Sequence, residues 1–343
     1  VSLCIPQALV GIFSPDPDVI QAGADYMRIM CLCYPFFGFA SSVYTTMRSV
    51  ESVKVATVSN IVALVVNGSL NYILIFGKFG APALGVRGAG IATLSARLAE
   101  FLIAAGYLFF FDRKLHIRFS GFFRFDKLLI RDLFTVSTPV MLNEVMWALG
   151  TSMQARLLGQ LGTEVVAANS IVSVVQQLTT VMVFGVANGA AVMIGKAIGE
   201  GSMTEARNRG FTFKWLSVII GVLVSVFILL LRDVAVNFYN VSPEAKELAH
   251  SMMLVASVIG FFVSISAVSI VGILRGGGDT KFSLNTEMFA LWCVAVPLAY
   301  FAAFVLHWPP VFVYAVMKID EPVKDLFVWI RMHGTKWLRD VTR

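Results

Sequence analysis

Glu144 is the residue best suited to chemistry, because it interrupts a long apolar run in which an ionisable side chain is costly. The run extends from Phe134 to Leu158, so at 1.5 Å per residue Glu144 lies roughly 15 Å inside it. Pro139 can bend the helix one turn earlier, and Asn143 and Trp147 flank the acid. A buried carboxylate can exchange a proton or hold Na⁺. We therefore predict an ion-coupling site at Glu144 and Asn143, the alternative being a structural carboxylate bonded to a neighbouring helix.

Two further sets of polar side chains lie within apolar runs and are candidates to line a cavity. The larger set recurs at helical spacing and forms a polar stripe, and the smaller is a pair one turn apart. The sets are Asn169, Ser173, Gln176, Gln177 and Thr180, and Asn67 with Asn71. Hydrogen bonding between helices is an equally good explanation of the stripe, because Ser, Thr and Gln commonly join membrane helices.

Other acidic residues within apolar runs have local partners or lie near the end of a run. Glu100 can be neutralised by Arg97 three residues earlier, and Glu287 lies near the cytoplasmic end of its run, so both are secondary candidates. The last run carries Asp320, Glu321, Lys324 and Asp325, which we expect to compensate one another. Four glycines at near-helical spacing are predicted as close-packing positions: Gly185, Gly189, Gly195 and Gly199.

Motifs of soluble enzymes are absent from the sequence, which has no HExxH, paired CxxC, GxSxG or GxxxxGK[ST]. The segment RGGGDTK, from Arg275 to Lys281, follows no strand pattern and is predicted as a turn between two spans. The four cysteines lie in apolar runs and are expected to be small buried hydrophobes. We therefore expect a protein that is not an enzyme, with no cofactor and no metal site beyond possible Na⁺ at Glu144.

The elements that position these residues are membrane-spanning helices. Of the 343 residues, 57% are hydrophobic and 14% are charged, and the mean hydropathy is +0.79. The apolar residues fall in runs of about 20, the length that spans a bilayer as a helix. Nine spans are predicted: Tyr26–Met47, Asn60–Phe76, Gly88–Phe111, Phe134–Leu158, Val165–Ile194, Trp215–Leu231, Met252–Leu274, Leu284–Leu306 and Pro310–Met332. The shorter run Val1–Phe13 is expected to be the remnant of a cut helix.

The distribution of basic residues predicts the orientation of the spans. Lys and Arg concentrate in alternate loops and in the C-terminal tail, which the positive-inside rule places in the cytoplasm. The loops at Ser14–Asp18, Gly77–Gly85 and Asn240–Glu244 are poor in basic residues and are expected outside. The net charge of +6 is therefore a topology signal and does not indicate nucleic-acid binding.

An internal repeat predicts two lobes. Phe13–Lys54 matches Phe238–Lys281 in the same membrane direction, so that Arg48 pairs with Arg275. The expected domains are an incomplete N-terminal lobe at 1–111, a cytoplasmic linker at 112–131 and a complete six-helix lobe at 132–343. By this repeat, about 95 residues precede Val1 in a twelve-helix parent. The predicted fold is an all-α polytopic membrane bundle of two pseudo-symmetric lobes.

Several segments together resemble the MATE (multidrug and toxic compound extrusion) family. They are LGVRGAGIAT (Leu84–Thr93), P-V-x-x-N-E (Pro139–Glu144), VANGAAVMIGKAIGEG (Val186–Gly201), LRGGGDTK and the closing GTKWLRDVTR. The resemblance covers essentially the whole chain. It implies two bundles around a central cavity that exports organic cations or drugs in exchange for Na⁺ or H⁺ by alternating access. Glu144 matches an acid implicated in cation coupling in that family.

The resemblance also implies the setting of the protein. We expect a monomer with multiple spans in the plasma membrane of a bacterium, with a cytoplasmic C-terminus. Two alternatives stay open: a lipid-linked oligosaccharide flippase of the same superfamily, and a non-transporting truncated membrane protein. A flippase should have basic residues in its central cavity, where the sequence suggests only Arg97 and Arg156.

Overall fold

The computed structural model describes residues 3–11, 17–50, 52–111, 127–334 and 336–339. Within these ranges the chain forms helices joined by short connections, and no strand element is present. The helices are α1 (Pro6–Gly11), α2 (Pro17–Ser49), α3 (Lys54–Phe76), α4 (Val86–Phe111), α5 (Lys127–Gln160), α6 (Thr163–Gly199), α7 (Met203–Phe238), α8 (Pro243–Leu274), α9 (Thr280–Phe304), α10 (Pro310–Met317) and α11 (Asp320–His333). The chain divides into two compact units, Val1–Phe125 and Asp126–Arg343.

In the described part of the chain, seven helices are long and apolar enough to cross a membrane: α2, α3, α4, α6, α7, α8 and α9. The all-α polytopic membrane fold is therefore confirmed. The seven account for seven of the nine predicted spans. The 34-residue helix α5 has sufficient length, but polar side chains such as Asn143, Glu144 and Gln154 reduce its mean hydropathy.

The last predicted span, Pro310–Met332, is wrong as a continuous helix, because the structure divides it into α10 and α11. The break lies at Lys318 and Ile319, between helices of 8 and 14 residues. Pro322 gives the reason, since it has no N–H to donate to the carbonyl of Lys318. As the third residue of α11, Pro322 occupies the first turn, where N–H groups have no helical partner in any case.

The first unit is held together where α2, α3 and α4 meet. The Tyr44 hydroxyl contacts Ser59 of α3 and donates to the carbonyl of Glu100 at 2.9 Å. The Glu100 carboxylate is buried and pairs with Arg97 Nη1 at 2.7 Å. This confirms the local neutralisation predicted for Glu100 and gives the residue a structural role within the first unit.

The core of the second unit depends on close packing between α6 and α8. A Cβ atom added at Gly272 would lie 2.8 Å from the carbonyl oxygen of Ala187, and one at Gly276 would lie 2.7 Å from Ala191 Cα. The predicted close-packing glycines of α6 are wrong for three of the four positions. Added Cβ atoms at Gly185, Gly189 and Gly199 would meet no atom within 4 Å, and one at Gly195 would make an ordinary contact. Glycines at the end of α8 and in the turn that follows it approach alanines on α6, so small residues on both sides share the interface.

The RGGGDTK segment forms the predicted turn between α8 and α9, and residues 336–339 pack against it. Trp337 is fully buried, and its carbonyl oxygen would lie 2.7 Å from a Cβ at Gly277. Asp279 is also fully buried and pairs with Arg331 at 2.7 Å and Arg339 at 3.1 Å. The tail and the turn are therefore one packed structure.

The helix boundaries agree with the internal repeat. The starts of α8 and α9, at Pro243 and Thr280, each lie 226 residues after the starts of α2 and α3. Residues 112–126 of the predicted linker lie outside the described residues, and residues 127–131 form the start of α5. Of the predicted helix remnant at 1–13, residues 6–11 form the short helix α1.

Candidate ion-coupling cavity

The second unit contains a cavity of about 390 Å³, which we call the coupling cavity. Its walls come from α5, α6, α8, α9 and the junction of α10 with α11, with one contact from α7. Seven charged side chains reach it: Glu144, Glu287, Asp320, Glu321, Arg275, Lys318 and Lys324. Four acids and three bases in one cavity of a membrane domain must be organised by pairing.

Arg275 links two carboxylates at one end of the coupling cavity. Its Nη1 lies 3.0 Å from Glu144 Oε1, and its Nη2 lies 3.3 Å from Glu287 Oε2. The side-chain amide of Asn143 also donates to Glu287. The side chains of Arg275 and Glu287 are each 17% exposed, whereas that of Glu144 is 58% exposed. Glu144 is therefore the accessible acid of the cluster.

The junction of α10 and α11 supplies the second charged group of the coupling cavity. Lys324 Nζ lies 3.0 Å from Asp320 and 2.7 Å from Glu321, and Ser266 of α8 donates to Glu321. Compensation among these three residues was predicted and is confirmed. Asp325 forms no ion pair within this group, and both of its carboxylate oxygens are buried without a hydrogen-bond partner.

Gln154 and Lys318 connect α5 to the same junction. Gln154 is buried, donates from Nε2 to the carbonyl of Met317 at 3.0 Å, and accepts from Lys318 Nζ at 3.3 Å. Because α10 ends at Met317, the carbonyl of Met317 receives no hydrogen bond from a following turn of the same helix. The break between α10 and α11 thus places polar backbone and four charged side chains, Lys318, Asp320, Glu321 and Lys324, at the cavity wall.

Widened helical turns precede Arg275 and follow Glu287. The last seven residues of α8, Val268–Leu274, and residues Phe289–Ala295 of α9 have π-helical hydrogen bonding. A π-helical turn contains an extra residue, so it rotates the following side chains relative to an ordinary helix. In α8 this turn leads directly to Arg275, and in α9 it begins two residues after Glu287.

The charge partner of Glu144 was not predicted from the sequence. Arg275, 131 positions away, lies against it. Three basic side chains, Arg275, Lys318 and Lys324, line the coupling cavity of the second unit. The expectation that Arg97 and Arg156 are the basic residues available to a central cavity stays a prediction. Arg275 was placed in a connecting loop from its local sequence, although folding brings it to the cavity.

The predicted polar stripe of α6 reaches the coupling cavity over part of its length. Gln176 and Thr180 line the cavity, together with Thr179, which was not predicted. Asn169, Ser173 and Gln177 are not among the lining residues. At 37 residues α6 extends well beyond the cavity, and Gln177 is rotated by about 100° from the stripe and is exposed.

Asn67 and Asn71 lie in the first unit, where they form a local network. Asn71 donates to Asn67 Oδ1 at 2.9 Å, and Asn67 donates to Thr93 of α4 at 3.4 Å. The pair thus joins α3 to α4. Their role in lining a cavity stays a prediction.

Apart from the compensating group on α11, sequence reasoning missed seven polar residues of the coupling cavity as site candidates. They are Thr151, Gln154, Thr179, Ser264, Ser266, Arg275 and Lys318. A signal for Arg275 exists in the repeat, where it pairs with Arg48, and the proline at 322 signals the break that exposes Lys318. No comparable signal marks Gln154.

Comparison with known proteins shows which family the chain belongs to. Residues 1–73 and 139–301 match the MatE family model, which is more than half of the chain. The chain belongs to the MatE family. A relative of this MatE protein, the multidrug resistance protein MdtK of Yersinia pseudotuberculosis serotype O:1b (strain IP 31758), is 27% identical over 286 residues. That alignment covers 83% of this chain and 62% of the relative, so the chain spans less than two thirds of the relative's length.

Solved structures share the MatE fold. The crystal structure of MATE in complex with MaL6 superposes with a TM-score of 0.86 at 19% identity, over 97% of this chain and 75% of that one. The outward-facing conformation of a multidrug resistance MATE family transporter gives a TM-score of 0.85 at 19% identity, over 97% and 74%. At such identities the likeness shows the fold, and the function of the coupling cavity must be argued from its own residues.

Proposed function

We propose that this protein exports small organic cations or drugs in exchange for Na⁺ or H⁺ by alternating access. The observation that carries the proposal is the cluster of Glu144, Arg275 and Glu287 in the coupling cavity. One guanidinium is shared between two carboxylates there, and the more exposed of the two is open to the cavity. A cation that binds Glu144 must compete with Arg275, and this competition provides a physical link between ion binding and conformation.

In this mechanism Na⁺ or a proton occupies Glu144 and releases Arg275 from that carboxylate. Arg275 then has Glu287 as its remaining partner, so the middle of α5 loses its connection to the residue that follows α8. An organic cation competes for the same acidic wall, where Trp147 and Phe184 supply aromatic surface for it. Because the ion and the drug cannot bind the same carboxylate together, binding of one releases the other, and this coupling produces exchange.

Drug export is supported by the family and by the name of the Yersinia relative, a multidrug resistance protein. We further propose that the protein is a monomer in a bacterial plasma membrane with its C-terminus in the cytoplasm. The concentration of Lys and Arg in alternate connections supports this orientation. We also propose the lobes at 1–111 and 132–343 as the functional domains.

Replacing Glu144 with Gln tests the proposal, because the amide keeps the size of the side chain and removes its charge. Ethidium is added to the medium around everted membrane vesicles that contain the protein, and a Na⁺ or a proton gradient, high inside the vesicles, is imposed. We expect the ion-driven component of ethidium transport to fall at least tenfold in the variant. Glu164→Gln, at the exposed start of α6, is the matched control and should transport like the wild type. Ion-driven transport that persists unchanged in Glu144→Gln contradicts the proposal.

A further inference from the structure

A second cavity of the second unit, of about 460 Å³, lies between α7, α8 and α11 and shares no lining residue with the coupling cavity. We call it the lateral pocket. Its lining includes Lys214 and Trp215 of α7, Phe262 of α8, and Asp325, Trp329 and His333 of α11. Trp215 and Trp329 are both exposed at the outer surface of the unit, so the pocket opens toward the surrounding membrane.

The lateral pocket contains one acid and one base that do not satisfy each other. Both carboxylate oxygens of Asp325 are buried and accept no hydrogen bond. Lys214 is also part of the lining, yet among the described residues neither side chain forms an ion pair within 4.0 Å. Lys214 Nζ instead lies 5.6 Å from the centre of the Trp329 ring. Two opposite charges thus face one apolar pocket with a gap between them.

Neighbouring charges do not fill this gap. Glu321 lies one turn before Asp325 and is already held by Lys324 and Ser266 on the side of the coupling cavity. The Nδ1 atom of His333 lies 2.8 Å from the carbonyl oxygen of Trp329 and is hydrogen-bonded to it. Buried carboxylate oxygens without donors are costly, which makes an external donor the natural partner of Asp325.

The position of the lateral pocket along its helices is interfacial. Lys214 immediately precedes the apolar run of α7 that begins at Trp215, and the 36-residue helix is longer than a bilayer requires. His333 is the last residue of α11, one turn after Trp329. Tryptophan next to a basic residue at the end of an apolar run is typical of the headgroup level of a membrane.

We infer that the lateral pocket binds the headgroup of a zwitterionic phospholipid, specifically phosphatidylethanolamine, with the phosphate on Lys214 and the ammonium on Asp325. A zwitterionic headgroup carries one positive and one negative charge and so matches both Asp325 and Lys214. The acyl chains of the lipid continue along the exposed apolar surface beside Trp215 and Leu326. A primary ammonium has three N–H donors for the two unpartnered oxygens of Asp325. The quaternary ammonium of phosphatidylcholine has no N–H, so it cannot satisfy them.

Native mass spectrometry of the purified chain, titrated separately with phosphatidylethanolamine, phosphatidylcholine and phosphatidylglycerol, tests the inference. We expect phosphatidylethanolamine to bind about tenfold more tightly than phosphatidylcholine, the effect of charge-assisted hydrogen bonds. Phosphatidylglycerol, which lacks the ammonium, should bind more weakly than phosphatidylethanolamine. Equal binding of the three lipids overturns the inference.

Substitutions at Asp325 and Lys214 test the ammonium contact and the phosphate contact separately. Asp325→Asn should abolish the preference for phosphatidylethanolamine over phosphatidylcholine, and Asp325→Glu should retain it. Lys214→Gln should weaken the binding of phosphatidylethanolamine and of phosphatidylcholine by a similar factor, because both lipids have the phosphate. Asp233→Asn, an exposed acid on α7, is the matched control. A preference that survives in Asp325→Asn overturns the inference, and Lys214→Gln provides an independent test if the Asp325 variants do not fold.

A competition experiment with dodecylamine distinguishes a bound lipid from a bound free hydrophobic amine. Dodecylamine carries the same ammonium without the phosphate, so Lys214 cannot contribute to its binding. We expect it to displace phosphatidylethanolamine only at concentrations well above those at which the lipid binds. Displacement at lower concentrations assigns the pocket to free amines and overturns the lipid inference. The inference does not depend on ion coupling at Glu144.

Discussion

Arg275 determines the electrostatics of the coupling cavity. It follows the π-helical end of α8, and its guanidinium lies within 3.3 Å of carboxylate oxygens on both α5 and α9. Removing one partner of such a cluster leaves the others short of charge compensation. Under the proposed mechanism, the accessible acid Glu144 loses its contact with Arg275 when it binds an external cation.

Replacing Arg275 with Gln removes the intramolecular competitor and should make Glu144 more available to the coupling ion. In a titration with Na⁺ or H⁺ alone, followed by tryptophan fluorescence, the half-saturating ion concentration should fall about tenfold. Arg156→Gln, an exposed position on α5, is the control and should leave the titration unchanged. An unchanged or higher half-saturating concentration for both ions shows that Arg275 does not compete at Glu144.

Contacts between helices explain which glycines of the second unit are structural. Gly272 of α8 and Gly276 of the following turn lie against the backbone of α6, whereas a Cβ added at Gly185 or Gly189 of α6 would meet open space. Helical spacing alone cannot separate these cases, because it reports which residues share a face and gives no information on what that face contacts. Two packed helices are needed to decide it.

Gly272→Ala should therefore destabilise the protein by about 1–3 kcal/mol, the usual effect of overpacking. The added methyl would lie 2.8 Å from the carbonyl oxygen of Ala187, so the two helices must separate. Thermal unfolding in detergent should show a lower midpoint for this variant. Gly189→Ala is the matched control and should have a midpoint equal to or above that of the wild type, since alanine favours the helix by about 1 kcal/mol. Equal midpoints for both variants would disprove the packing argument.

At the scale of the whole molecule, the orientation in the membrane follows from the basic connections. The connection at Asn240 is expected outside and that at Glu200 inside, because Lys196 and Arg207 flank the latter. The tail around Trp337 packs beside the α8–α9 turn, at the same end as Arg331 and Arg339.

Single cysteines on a background that lacks Cys4, Cys31, Cys33 and Cys293 test this orientation. Asn240→Cys should react with a membrane-impermeant maleimide in intact cells, whereas Glu200→Cys should react only after the membrane is permeabilised. Lys78→Cys, in the other loop expected outside, serves as the control for labelling. The reverse pattern would place the C-terminus outside and contradict the proposed topology.

The sequence by itself determined the membrane class, most of the spans and the turn at RGGGDTK. These depend on local composition, since an apolar run of about 20 residues has few alternatives to a membrane helix. The pairing of Glu100 with Arg97 was also accessible, because residues three apart share a helix face. Within the candidate site, Glu144 was predicted as an acid inside an apolar run with Asn143 beside it, Glu287 as a secondary acid, and Gln176 and Thr180 from helical spacing. All five lie at the coupling cavity.

Only the tertiary structure decided the partners of those residues. Arg275 reaches Glu144 across 131 positions, and Gln154 reaches Lys318 across 164, separations at which no periodicity operates. The lateral pocket likewise needs α7, α8 and α11 side by side, and the unpartnered Asp325 is visible only there. Charge and hydropathy are properties of single residues and local runs, whereas pairing and cavity shape depend on how the helices pack.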